Sequence, residues 1–158
     1  MLPPEEFYKT LPTKRSAAQV VFFNQKKELL IVKPNYRKGW LLTGGSIDDN
    51  ESPRQAAQRE VKEELSLEVK DLKLICVDYK KTHKYKPEGY FFIFFGGQLS
   101  EQQIKNIKLQ TEELVEFQFV TAQQAQEKLA KGINDRLKNC LKAIDNNTTI
   151  YLENGQLT

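Results

Sequence analysis

Glu60, Glu63 and Glu64 are the residues of this sequence best spaced to do chemistry together. In a helix, positions i, i+3 and i+4 lie on one face, so the three carboxylates would project side by side. Like charges at this spacing repel each other. A divalent cation reverses that repulsion, and Mg²⁺ prefers oxygen ligands while keeping waters and substrate phosphates as its other ligands. The spacing indicates either a metal site or a solvated, glutamate-rich surface.

The helix that must carry these glutamates has a well-marked start. Ser52 can cap it with a hydroxyl, Pro53 suits the first helical position, and Gln55 completes a capping box. The following residues include neither Gly nor Pro up to Leu65, so we predict a helix over 53–65. A neighbouring apolar stripe should face the core: Ala57, Val61 and Leu65.

The stretch from Gly45 to Leu67 resembles the Nudix box, the signature of hydrolases that act on a nucleoside diphosphate linked to another group. The family pattern is Gly, five residues, Glu, seven residues, Arg-Glu, an aliphatic, any residue, Glu-Glu, any residue, Gly and an aliphatic. Two positions depart from the usual family sequence: Ser66 replaces the glycine, and Thr43 stands where proline often precedes the paired glycines. The positions that match are Gly45, Glu51, Arg59, Glu60, Val61, Glu63, Glu64 and Leu67.

The resemblance implies a metal site and a rigid frame around it. The metal would be Mg²⁺, with Mn²⁺ as the alternative, held by the three glutamates and the backbone carbonyl of Gly45. An ion pair between Arg59 and Glu51 would hold the motif rigid, with Gly44 in a structural role, and guanidinium–carboxylate pairs suit that task. Ser66 would cost on the order of 1 kcal/mol at the helix end, without touching a ligand. Arg59 also lies one turn before Glu63 and can pair with it.

The general base and the substrate contacts are less well defined by the sequence. The resemblance allows a box glutamate or a glutamate in a downstream loop as the base. We expect Glu113, with Glu63 as the alternative in the box and a solvated loop charge as the competing interpretation. Basic and aromatic loop residues could meet the phosphates or the base of a nucleotide, although exposed positions are often merely solvated: Arg37, Lys33, Tyr36 and Lys81.

Composition is ordinary for one globular domain, which we expect to span residues 1–158. No apolar run has transmembrane length, and the first residues lack the layout of a signal peptide, so we expect a cytoplasmic protein with no membrane partner. Cys76 and Cys140 suggest reduced thiols that fill the core. The net charge of +3 is weak support for a nucleic-acid partner.

The pattern of the remaining segments predicts strands, then the helix, then more strands and helices. This order predicts a mixed sheet between helices, in agreement with the α/β/α fold that the resemblance implies. The tail should form a strand with a turn at Asn154-Gly155. We predict strands at 16–23, 29–33, 40–42, 69–79, 90–95 (ended by Gly96-Gly97) and 113–120, and helices from the Thr121–Gln124 capping box to about Lys131 (ended by Gly132) and over 134–145.

The function that follows is metal-dependent hydrolysis of the pyrophosphate linkage in a small nucleotide, such as a nucleoside triphosphate, a nucleotide sugar or an ADP-ribose type compound. Two alternatives stay open. One is a catalytically silent nucleotide-binding sensor, suggested by the departures at Thr43 and Ser66. The other is an RNA 5′-end pyrophosphohydrolase, suggested by the basic loop over 80–86 with its interleaved Tyr85. A homodimer is a further option that the sequence leaves open.

Overall fold

The fold is built on a mixed sheet, which a computed structural model of the chain describes over residues 2–158. The sheet has eight strands: Arg15–Phe23 (β1), Leu29–Pro34 (β2), Thr43–Ser46 (β3), Lys73–Lys80 (β4), Gly89–Gln98 (β5), Leu114–Val120 (β6), Ile150–Glu153 (β7) and Gln156–Leu157 (β8). The helices are Pro4–Lys9 (α1), Pro53–Leu65 (α2), Glu101–Lys105 (α3), Ala122–Lys128 (α4) and Lys131–Asp145 (α5).

The strands are ordered β6-β2-β1-β5-β4-β7-β8, and β3 pairs with β1 beside this path. Two pairs are parallel, β1 with β5 and β4 with β7, and the other pairs are antiparallel. The apolar strand β5 has a neighbour on each side, so its backbone is not an edge open to a second copy of the chain. The register places Gly44 of β3 opposite Gln19 of β1.

A separate hydrophobic core lies on each face of the sheet. On one face α2 buries Ala57, Val61 and Leu65 against β1, β2 and the end of β5, as its apolar stripe predicts. On the other face α4 and α5 bury Ala125, Leu137 and other apolar residues against the same strands. Helices on both faces of a mixed sheet confirm the predicted α/β/α architecture.

Two predicted breaks at glycine are wrong. Gly96 and Gly97 do not end β5, which continues to Gln98. At Gly96 a Cβ would clash with the ring of Phe22, so this glycine permits close packing inside the strand. Gly132 does not end α4 but lies in the first turn of α5, and α4 ends at Lys128 because Leu129 is extended.

The boundaries of two predicted strands also differ. The segment 40–42 forms isolated bridges, Trp40 with Leu129 and Leu41 with Val32, and the strand beside it is β3, which contains both glycines. The glycines therefore lie in a strand that pairs with β1, and not in a turn. The strand predicted from residue 69 begins at Lys73.

Two expectations about composition can be checked over residues 2–158. Cys76 and Cys140 are free and buried, as expected for thiols that fill the core. Across these residues we find no helix that combines the length and the apolar character needed to cross a membrane.

Candidate active site

Helix α2 is fixed at both ends by local interactions. The Ser52 hydroxyl accepts from the Gln55 amide at 3.2 Å, and the Gln55 side chain accepts from the Ser52 amide at 2.9 Å, which is the predicted capping box. The helix ends at Ser66, whose φ of 57° and ψ of 29° place it in the left-handed region. The Ser66 hydroxyl donates to the carbonyl of Lys108 at 3.1 Å. This bond ties the end of α2 to the loop before β6.

Arg59 organises the strand–helix connection. Its Nε and Nη2 donate to the two carboxylate oxygens of Glu51 at 2.8 and 2.9 Å, the bidentate pair that the resemblance implies. Nη2 also donates to the carbonyl of Ser46 at 3.0 Å, which ties the end of β3 to the helix. The hydrogen bond from Arg59 lowers the pKa of Glu51, and the same bond raises the pKa of Arg59, so both groups stay charged near neutral pH.

The third guanidinium nitrogen of Arg59 holds two of the three glutamates. Its Nη1 donates to Glu60 Oε1 at 2.8 Å and to Glu63 Oε2 at 3.1 Å, so the predicted pairing with Glu63 is present. The Glu60 carboxylate packs directly on Gly45, where a Cβ would lie 2.5 Å from Oε1. A side chain at position 45 would displace this carboxylate, which gives a physical reason for glycine here.

Glu64 is the buried member of the trio. It is 6% exposed and accepts a hydrogen bond from the Gly44 amide at 2.9 Å. Gly44 has φ +132°, and a Cβ there would collide with the backbone of Ala18, so only glycine brings this amide to the carboxylate. Each of the paired glycines therefore contacts one glutamate. Gly44 donates its amide to Glu64, and Gly45 leaves the space that the Glu60 carboxylate fills.

The electrostatics of the trio depend on depth. Burial raises the pKa of Glu64 to about 7, although the Gly44 amide works against the shift. Burial also raises the pKa of Glu60, and Arg59 opposes it. The charge of Glu113 adds to the increase in both groups. Glu63 is the exposed member, with 48% of its side chain accessible. The charged forms of the two deeper carboxylates are therefore costly without a nearby positive charge.

The carboxylates of this site are the type of ligand that a hard divalent cation takes. In this structure three of them, Glu51, Glu60 and Glu63, accept hydrogen bonds from Arg59. Carboxylate oxygens are the ligands that Mg²⁺ and Mn²⁺ prefer. A cation beside Glu60 and Glu64 would offset the burial that raises their pKa values. In the arrangement described for residues 2–158, no three His, Cys, Asp or Glu side chains converge as a metal cluster, because Glu60 and Glu63 turn toward Arg59.

Glu113 reaches this region through backbone contacts. The Gln110 amide donates to the Glu64 carbonyl at 3.2 Å, which attaches the loop before β6 to the end of α2. The Glu113 carbonyl accepts from the Asn35 amide at 2.9 Å, which attaches the same loop to the one after β2. Glu113 is exposed in the turn just before β6 and lies within electrostatic reach of Glu60 and Glu64.

The predicted substrate contacts divide into two groups. Tyr36 lies within electrostatic reach of the glutamates. Partial burial, together with the charges of Glu113 and Glu64, raises its pKa, while the adjacent Arg37 lowers it. Tyr36 is 65% exposed and therefore accessible to a ligand. Lys33 instead places its ammonium 5.9 Å from the ring centroid of Trp40. Lys81 lies on the α5 side of the sheet, where its amide donates to Asn154 Oδ1 at 3.1 Å.

Three polar residues that the sequence did not single out are buried on the α5 side. Asp78 is fully buried in β4, and its Oδ2 lies 3.1 Å from Nε of Arg136. Arg136 Nη1 donates to Gln19 Oε1 at 3.3 Å. Gln19 stands opposite Gly44 in the sheet, so this network adjoins the glutamate site through β1. A charged residue within an apolar pattern is the feature of the sequence that could have identified two of them: Asp78 lies in a strand pattern, and Arg136 lies beside Leu137 in a helix pattern.

Comparison with known proteins gives one consistent family. Residues 13–141 match the sequence model of the NUDIX domain. An uncharacterized Nudix hydrolase of Listeria innocua is 34% identical over 140 residues, covering 84% of this chain and 79% of that protein. An RNA pyrophosphohydrolase of Haemophilus influenzae is 39% identical over 67 residues, covering 42% of this chain and 34% of its own length.

Solved structures agree on the fold. The NUDIX domain of Shewanella oneidensis NrtR, determined in complex with ADP ribose, superimposes with a TM-score of 0.70. The match covers 93% of this chain and 100% of that one, at 17% identity. At this identity the likeness shows a shared fold.

Proposed function

The chain belongs to the Nudix hydrolase family, and from that premise we propose that it hydrolyses the pyrophosphate linkage of a nucleoside diphosphate joined to another group. The observation that carries the proposal is the single guanidinium of Arg59, which binds Glu51, Glu60 and Glu63 together. With Glu64 on the Gly44 amide, this frame holds four carboxylates of one motif beside two glycines. Holding four carboxylates this close together costs free energy, because like charges repel, unless they act together on a common ligand such as a metal ion.

Members of the family generally use divalent metal cations, and we propose Mg²⁺, or Mn²⁺, for this chain. Bound there, the cation would polarise the phosphoryl group and supply an activated water. The residues that would hold it are Glu60, Glu63 and Glu64, with the carbonyl of Gly45. Arg59 would keep these carboxylates in position, and the close packing of Glu60 on Gly45 would fix the depth of the site.

Glu113 is the general base in this proposal, and Glu63 is the alternative. The exposure of Glu113 to solvent and its electrostatic influence on Glu64 support this role, in which its carboxylate would accept a proton from water. The pH profiles of Glu113→Gln and Glu63→Gln distinguish the two. Loss of the base removes the acidic limb of the kcat profile, whereas loss of a metal ligand weakens the dependence on cation concentration. An unchanged acidic limb in Glu113→Gln would assign the role to Glu63.

We propose Tyr36 and its neighbour Arg37 as the substrate contacts beside the glutamates. Arg37 would pair with a phosphate oxygen, and the Tyr36 ring would stack on the base. Lys33 and Lys81 were expected in the same role. Lys81 lies on the α5 side of the sheet and Lys33 lies near Trp40, so we propose that neither contacts the diphosphate at the glutamates.

The direct test is turnover. The purified protein is assayed with Mg²⁺ against nucleoside triphosphates, nucleotide sugars, ADP-ribose and dinucleoside polyphosphates, with phosphate-containing products identified by chromatography. We expect hydrolysis of at least one compound, abolished by EDTA and by Glu63→Gln. Glu68→Gln is the matched control, because Glu68 is exposed and pairs with Lys62 away from the site. Activity that is undiminished in Glu63→Gln would overturn the proposal.

RNA 5′-end hydrolysis is the second candidate. Two observations favour it: several relatives of partial coverage are named RNA pyrophosphohydrolases, and the loop between β4 and β5 is basic and exposed. A protein that binds the RNA backbone releases counterions, so its affinity falls steeply with salt. Hydrolysis of a 5′-triphosphorylated oligonucleotide with a steep salt dependence would support this candidate. A preference for mononucleotides at all salt concentrations would exclude it.

A further inference from the structure

A cavity of about 550 Å³ opens on the α5 face of the sheet, across β1 from the glutamate site. It is lined by residues from five separate segments of the chain, and Asp135 is the acid among them. We call it the basic pocket because of its six cationic side chains: Arg15, Lys80, Lys81, Lys86, Lys131 and Arg136. His83 lines it as well.

One of these cations is built into the protein interior. Arg136 is 2% exposed, and its guanidinium carbon lies 4.1 Å from the centroid of the Phe91 ring. Its Nε lies 3.1 Å from Asp78 Oδ2, but neither atom makes a hydrogen bond of good geometry among the described residues. Asp78 offsets the charge of Arg136, so this pair gives the cavity wall a fixed guanidinium, and the net positive charge of the pocket comes from the cations of the rim.

The other cations are held at the cavity rim by ordered backbone. The loop tip closes on itself, with the His83 and Lys86 amides each donating to the other residue's carbonyl at 3.0 and 2.9 Å. Arg15 lies over the same Phe91 ring at 5.2 Å. Helix α5 starts at this rim, and its N-cap Ala130 has no side chain that could cap its first amides. Asp135 lines the cavity and Lys80 Nζ lies 3.7 Å from Asp78 Oδ2, so the positive potential of the rim comes from the excess of cations over these acids.

The pocket is adjacent to the proposed site of hydrolysis. Gln19 accepts from Arg136 on one side and pairs with Gly44, the partner of Glu64, in the sheet. Arg15 is four residues from Gln19 along β1, which is roughly 13 Å of strand. A nucleotide with its diphosphate at the glutamates would therefore have to extend past the β1–β3 pair, from the α2 side to the α5 side, to bring another part of itself to the basic pocket.

We propose that the basic pocket binds a phosphate group carried on the ribose of the substrate's nucleoside, remote from the diphosphate that is cleaved. This inference rests on the proposed function. Guanidinium groups pair with phosphate in a planar, bidentate way, and lysines add point charges. Two sources supply the same chemistry: a small nucleotide with a 2′- or 3′-phosphate, and the first phosphodiester of an RNA 5′ end.

Binding of non-hydrolysable probes tests the pocket without requiring turnover. Calorimetry at fixed ionic strength, with EDTA, compares AMP with adenosine 3′,5′-bisphosphate, adenosine 2′,5′-bisphosphate and the dinucleotide pApA. We expect at least one phosphorylated partner to bind roughly tenfold or more tightly than AMP. A preference for a bisphosphate indicates a small nucleotide, and a preference for pApA alone indicates RNA.

The variant Lys86→Glu/Lys131→Glu tests whether the pocket causes this preference. Both side chains are exposed, and glutamate suits the first turn of α5, so the fold should be retained. The preference over AMP should fall toward one. Lys26→Glu/Lys105→Glu, with the same change in charge at exposed positions outside the pocket, should keep it.

The outcomes separate this inference from the proposed function. Equal binding of all four probes, or a preference that survives in the pocket variant, overturns the pocket assignment even if the protein hydrolyses pyrophosphates. A preference that depends on the pocket in a protein that hydrolyses nothing leaves the pocket assigned and overturns the proposed function.

Discussion

The glutamate face of α2 and the basic pocket are opposite in charge and differ in how the chain builds them. The glutamates come from one helix and are ordered by one arginine, with Glu64 also held by the Gly44 amide. The basic pocket collects its cations from three segments, the start of β1, residues 80–86 and the first turns of α5, around a single buried ion pair. A site that positions a reaction needs short, fixed distances, which neighbouring positions on a helix supply. A site that attracts an anion needs only summed positive charge, which separate segments can supply.

Glu63→Gln gives the largest expected effect, because it removes a charge from the site where fixed distances matter. We expect kcat to fall on the order of 10²–10⁴-fold, while the thermal stability of the metal-free protein stays equal or rises, since one repelling carboxylate is lost. Steady-state kinetics and thermal denaturation are the measurements. The same substitution at Glu68 should leave kcat unchanged. A modest loss of kcat in Glu63→Gln would mean that the trio does not act as a unit.

Asp78→Asn should break the basic pocket at its anchor. The substitution keeps Oδ1, which accepts from the Gly155 amide at 2.9 Å, and removes the charge that faces Arg136. Leaving a buried cation unpaired costs about 3–5 kcal/mol, so we expect a loss of that order in urea denaturation. Adding Arg136→Met should restore part of it. Asp71→Asn, at an exposed position, is the control, and a loss as small as that control's would show that the ion pair is not the anchor.

These two regions also explain what the sequence could and could not predict. Helix α2 is local: its cap, its apolar stripe and the pairing of Arg59 with Glu63 follow from residue types at fixed spacings, and the structure confirms them. The basic pocket depends on which strands become neighbours, since Arg15, Phe91 and Arg136 are brought together only by the parallel pairing of β1 with β5 and the packing of α5. No window of sequence contains that information.

The wrong boundaries have the same origin. Glycine commonly ends helices and strands, which is why Gly96 and Gly132 predict element ends, but the atoms that surround each glycine decide its role. Gly96 makes room for Phe22 from β1. At Gly132 a Cβ would meet no atom within 4 Å, so neither crowding nor a special φ constrains it, and α5 begins where Leu129 has already turned the chain.

The raised pKa of Glu64 makes the stability of the metal-free protein depend on pH. Burial raises this pKa to about 7 from an ordinary value of 4.5, so the folded state binds a proton more tightly than the unfolded state. Stability of the metal-free protein should therefore fall as pH rises from about 5 to about 7, by on the order of 1–3 kcal/mol. The raised pKa of Glu60 acts in the same direction. Glu51 acts only at lower pH, because its pKa is lowered.

Urea denaturation across this pH range, in EDTA, is the measurement. In Glu64→Gln the slope should shrink, since glutamine can still accept from the Gly44 amide but does not titrate. Saturating Mg²⁺ should flatten the wild-type slope, because a bound cation stabilises the ionised form. A stability that rises with pH between 5 and 7 in the metal-free wild type would contradict the buried position of Glu64.

Ser66→Gly has the smallest expected effect and tests whether the departure from the family motif is confined to the helix end. Ser66 has φ 57°, which glycine adopts without strain, so the substitution should stabilise the fold by up to about 1 kcal/mol. The Ser66 hydroxyl bond to Lys108 offsets part of that gain. Ser66→Ala loses the hydroxyl and keeps the unfavourable φ, so it should be less stable than wild type. Because Ser66 contacts no glutamate of the trio, kcat should stay constant in both variants, and a change in kcat that tracks stability would show that the end of α2 does position the catalytic face.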